Sequence, residues 1–114
     1  MKTLADIPLA DNERAAIEEA ARRLKAELPV SRVVLFGSKA RGTGRADSDI
    51  DLLVLTRQPV TGEVRRQVSL RLTDASLDHD VLLSSVIVAE NEWEQGAIRE
   101  MLIHSEVQRD GAEL

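Results

Sequence analysis

"GSKARGTGRADSDIDLLVL", residues 37–55, sets three basic side chains (Lys39, Arg41, Arg45) and a glycine-rich bend against three aspartates that lead into an apolar run. The run before it, Val33-Val34-Leu35-Phe36, is short, β-branched and apolar throughout. Ile50 to Leu55 repeats that pattern. Both read as strands buried on two faces. The stretch therefore predicts a cationic turn that links two core strands, with carboxylates at the start of the second.

Helical spacing surrounds this pair. Ile17, Ala20, Ala21, Leu24 and Leu28 form one apolar stripe, with Asp11 as the expected N-cap and Pro29 as the stop. From Thr61 to about Ala75, Val64, Val68, Leu72 and Ala75 share a helical face. Asp80 to Val88 reads as a third strand, its apolar run interrupted by Ser84 and Ser85. Asn91 to Glu94 reads as a helix start, Ile98, Met101 and Leu102 continue it inward, and Trp93 reads as a core anchor. The order α-β-α-β-α-β-α predicts an α/β fold, a small mixed sheet with flanking helices, in one domain over residues 1–114.

Bulk composition narrows the function. A formal net charge of −5 and only two aromatics, Phe36 and Trp93, argue against a general nucleic-acid binder. No direct nucleic-acid contact is expected. No cysteine is present, and no apolar stretch reaches the length of a membrane span, so a cytoplasmic protein without membrane contact is expected.

Asp49 and Asp51 straddle Ile50, so an extended chain turns both to one face about 6–7 Å apart. Two like charges that close call for a cation between them. Mg²⁺ suits a few carboxylates plus phosphate oxygens and water, and two ions suit phosphoryl or nucleotidyl transfer. Gly37 and Ser38 follow a strand end, where backbone N–H groups, the Ser38 hydroxyl and a bidentate Arg41 can face an anion. A nucleoside triphosphate with Mg²⁺ has the complementary charge pattern. A solvated charged loop is the competing account of Lys39, Arg41 and Arg45. The Walker A alternative fails because Thr43-Gly44 replaces its Lys-Ser/Thr, and a dinucleotide fingerprint fails because Asp47 stands at its third glycine.

Gly37-Ser38, ten residues, then Asp49-Ile50-Asp51 resembles the signature of the minimal nucleotidyltransferase (MNT) family within the DNA polymerase β-like superfamily, and "FGSKARG" and "SDIDLLV" match its context. The resemblance implies a polymerase β palm-like fold, Gly37 and Ser38 on the triphosphate, and Asp49 and Asp51 as paired metal ligands. It also implies a third acid on a later strand, as ligand or base. Within "LDHDVLLSSV", Asp80 is assigned that place and Asp78 is the runner-up. His79, between them, would face the other way on a strand. Stand-alone members of that family are often encoded beside a HEPN-domain ribonuclease and act as its antitoxin, adenylylating a tyrosine on it. The resemblance thus implies AMP transfer from ATP to a hydroxyl of a HEPN-type partner. The alternative is a catalytically silent MNT-like subunit that neutralises its partner by contact.

Overall fold

The structure, a computed structural model, describes residues 2–114. Helix α1 is Asp11–Glu27, α2 Gly37–Arg41, α3 Gly62–His79, α4 Glu90–Gln95 and α5 Leu102–Asp110, with short 3-10 turns at Leu4–Asp6 and Ala97–Glu100. Strand β1 is Lys2–Thr3, β2 Val30–Phe36, β3 Ile50–Thr56, β4 Leu83–Ala89 and β5 Ala112–Glu113. They form one mixed sheet in the order β1-β5-β2-β3-β4. β2 runs antiparallel to β3 and β5, while β3 and β4 are parallel and joined through α3. Three strands were expected. The two additional ones are two-residue pieces, too short to carry an alternating pattern.

The apolar runs are continuous because helices cover both faces of the sheet. On one face Ile17, Ala20 and Leu24 of α1 and Val68, Leu72 and Ala75 of α3 pack on Val33, Leu35, Leu52 and Val54. On the other, Trp93 and Val107 pack on Val34, Phe36, Leu53 and Leu55, with Val86 and Val88 alongside. Trp93 is buried, and its ring lies 4.5 Å from that of the half-buried His104, a packing contact that accounts for both residues.

Several boundaries moved, each for a local reason. Ala10, not Asp11, precedes the first turn of α1, and the Glu13 carboxylate rather than an aspartate accepts its N–H at 2.8 Å. Residue 89, not Asn91, precedes α4, without a side-chain cap. Helix α3 continues past Ala75 to His79 and ends on Asp80 in the left-handed region, φ 54°. Aspartate tolerates that conformation better than most residues. Ser76 ties the turn: its carbonyl accepts from Val81 N–H at 3.1 Å and its hydroxyl from Leu83 N–H at 3.1 Å. The strand therefore starts at Leu83 rather than Asp80. His79, expected on a strand, sits on the last turn of α3 with Nε2 3.6 Å from Glu19 of α1.

Candidate active site

The site grows from the end of β2. Phe36 is extended, Gly37 turns with φ +80°, and α2 follows for barely more than one turn before Gly42, φ +77°, ends it. The first N–H groups of any helix lack partners within it, so this turn offers free donors to an anion. Ser38 carbonyl then accepts from Thr43 N–H at 3.0 Å and Gly44 N–H at 3.1 Å, which folds the glycine-rich loop back on α2. A second turn, closed by Arg45 N–H to Ser48 Oγ at 2.8 Å and Ser48 N–H to Arg45 carbonyl at 3.1 Å, delivers the chain to β3.

The three cations of the loop have different fates. Lys39 is buried, with Nζ 2.6 Å from Glu13 Oε2 of α1 and 2.6 Å from the Arg45 carbonyl. It braces the loop and does not face an anion site. Burial raises the Glu13 carboxyl, but hydrogen bonds from Lys39 and the Ala10 N–H outweigh it and hold the group below its ordinary value. Arg41 and Arg45 are exposed. Arg41 lies at the end of α2, close enough to Asp110 to help lower that carboxyl, after the larger effect of the Arg109 hydrogen bond.

Asp49 is exposed immediately before β3, and Asp51 is half-buried on it. Asp51 stands opposite Phe36 on β2 and beside Ser84 on β4. Its Oδ1 accepts a hydrogen bond from Ser84 Oγ at 2.7 Å. Its Oδ2 lies so close to the Gly37 backbone that a Cβ there would overlap it. The glycine turn and the second aspartate are thus brought together at one end of the sheet.

Asp80 is not brought to them. β3 alternates, so Ile50 faces the α1 and α3 layer while Asp51 shares parity with Leu53 and Leu55 on the opposite face. Asp80 belongs to the end of α3. It lines a cleft of about 550 Å³ with Asn12, Asp47, Ser48 and Ile50. Asp78 lies on α3, exposed. The residue beside Asp51 on β4 is a hydroxyl, Ser84, which parity had not singled out. Its one sequence signal is the polar break in an apolar strand. Among the described residues, no three His, Asp or Glu side chains gather closely enough to hold a metal ion. Asp49 and Asp51 nevertheless fit a hard cation: two carboxylates, one open to water, suit Mg²⁺ that keeps water and phosphate oxygens as its other ligands.

The chain is similar to known proteins. A protein of Methanocaldococcus jannaschii named "Putative protein adenylyltransferase MJ0141" is 36% identical over 58 residues, which cover 51% of this chain and 59% of that relative. A crystal structure of a toxin–antitoxin with AMP-PNP superposes with a TM-score of 0.59 at 19% identity, covering 91% of this chain and 72% of the other. The toxin–antitoxin MntA-HepT gives a TM-score of 0.55 at 17% identity, over 86% and 68% of the two chains. At such identities these structures establish the shared fold. No helix among the described residues is long and apolar enough to cross a membrane. Residues 17–105, most of the chain, match the family described as "Nucleotidyltransferase domain", and the chain belongs to that transferase family.

Proposed function

We propose that this chain moves AMP from ATP to a hydroxyl of a partner protein, and that the partner is a HEPN-type ribonuclease toxin held in check in the cytoplasm. The observation that carries the transfer is the meeting of Asp51 with the Gly37 turn, carboxylate against glycine backbone. The adenylyltransferase name of the archaeal relative and the toxin–antitoxin origin of the structural neighbours support the acceptor class.

In this reading the backbone N–H groups after Gly37 and the Ser38 hydroxyl hold the triphosphate, and Arg41 balances its charge. Asp49 and Asp51 hold Mg²⁺, which when bound neutralises phosphate charge and favours attack at the α-phosphorus. The acceptor oxygen bonds to that phosphorus, the α–β anhydride bond breaks, pyrophosphate leaves, and the hydroxyl proton passes to solvent. Asp80, at the end of α3, is not given a role at the metal in this reading. A contact-only antitoxin is the second reading, favoured by the same absence of a third acid beside the pair among the described residues.

The test is direct. Purified protein, Mg²⁺ and α-labelled ATP are mixed with a lysate of the source cell, beside an Asp51→Asn control. Label on one protein band, absent with the variant, is expected. No label with any of the four triphosphates would favour the contact-only reading.

A further inference from the structure

Ser84 is the register partner of Asp51 and shares its face of the sheet with Val86 and Val88. Its Oγ lies 2.7 Å from Asp51 Oδ1 and 3.5 Å from the Ile50 carbonyl. A hydroxyl has one proton to donate. The shorter contact, to the charged acceptor, takes it and has the length of a charge-assisted bond.

That bond matters because of what the other oxygen does. The terminal torsion of an aspartate is broad, with no deep well of its own to fix the carboxylate plane. With Oδ1 tied to β4, Oδ2 is left against the Gly37 backbone, toward the turn that would hold a triphosphate. We infer that Ser84 is a positioning residue of this site: it fixes the rotation of the Asp51 carboxylate so that Oδ2 faces the cation and triphosphate. It also leaves this position neutral, so the platform presents two carboxylates and a hydroxyl donor rather than three acids. The inference rests on the nucleotidyl-transfer reading for what the carboxylate holds, and on the hydrogen bond and register for how it is held.

Ser84→Thr and Ser84→Val have nearly the same shape and both suit a strand, so their difference isolates the hydroxyl. Calorimetric titration with α,β-methylene-ATP, with and without Mg²⁺, is run on both variants, the wild type and Asp51→Asn, with melting temperatures alongside. Ser84→Thr is expected to bind within a few-fold of wild type. Ser84→Val is expected to lose about 10–100-fold in Mg²⁺-dependent affinity, the usual effect of removing a group that orients a metal ligand. Without Mg²⁺ the two variants converge, because Ser84 acts through Asp51. Equal binding by both variants with Mg²⁺, while Asp51→Asn loses it, overturns the role of Ser84 alone. A difference that persists undiminished without Mg²⁺ also overturns it. A wild type that binds no Mg²⁺–nucleotide overturns the transfer reading and the role of Ser84 with it.

Discussion

Gly37 meets two demands that a side chain cannot. Its φ of +80° lies in the region where an L-residue costs about 1–2 kcal/mol, and a Cβ would overlap Asp51 Oδ2. Gly37→Ala should therefore lower unfolding stability by at least about 1 kcal/mol and abolish Mg²⁺-dependent nucleotide binding. Chemical denaturation and calorimetry measure the two effects separately. Stability lost with binding intact would mean that the close approach of carboxylate and backbone is not used. Ser38 gives a gentler probe. Ser38→Ala removes one donor to the triphosphate and keeps the backbone, so nucleotide affinity should fall by roughly tenfold, the scale of one hydrogen bond to a charged group.

The loop that follows is held between helices by an ion pair. Lys39 of α2 and Glu13 of α1 are both buried, and Lys39 also bonds the Arg45 carbonyl across the loop. Removing one partner of such a pair leaves a buried charge, so Lys39→Met should cost about 3 kcal/mol in unfolding free energy. The pH dependence has a definite sign. Glu13 is held below its ordinary 4.5, so its contribution is full above that value and disappears as pH falls through the lower folded value. The stability difference between wild type and Glu13→Gln should be flat from pH 7 to about 5 and shrink below 4.5. A difference that grows on acidification would contradict the pairing. Arg71 of α3 and Arg23 of α1 play a lesser part: they cross the helix pair to Glu27 and Asp74 at 2.9 and 3.7 Å, near the surface where such bonds contribute little.

Across the molecule, the sheet keeps its place because β5 closes it. Ala112 and Glu113 lie between β1 and β2, Leu114 N–H bonds the Val33 carbonyl at 2.9 Å, and Arg32 grips Glu113 at 2.6 Å. Ala112 is fully buried. Ala112→Asp would place an unpaired carboxylate in that core and should destabilise by about 3 kcal/mol or more, read as a fall in melting temperature of roughly 10 °C. Because Val33 and Val34 are neighbours of the site-bearing Phe36 and Gly37, nucleotide affinity should fall with it. An unchanged melting temperature would mean that β5 is not part of the cooperative fold.

The apolar runs 33–36 and 50–55, the helical stripes and the pairing of Gly37-Ser38 with Asp49 and Asp51 could all be read directly, because each depends on neighbours in the chain. Two-residue strands could not. Lys2–Thr3 and Ala112–Glu113 carry no periodicity; Ala112–Glu113 becomes a strand on the free edge of β2, and Lys2–Thr3 on the edge that β5 then offers. Nor could the third position of the site. Asp78 and Asp80 had the right parity for a strand, but α3 runs on to His79, fastened to α1 by Asn12 Nδ2 on the His79 carbonyl at 3.0 Å. That packing puts Asp80 with the opposite helical layer and gives the place beside Asp51 to Ser84. Local spacing decides which residues share a face of one element; which element ends up beside it is decided by register between strands and by the helices that cover them.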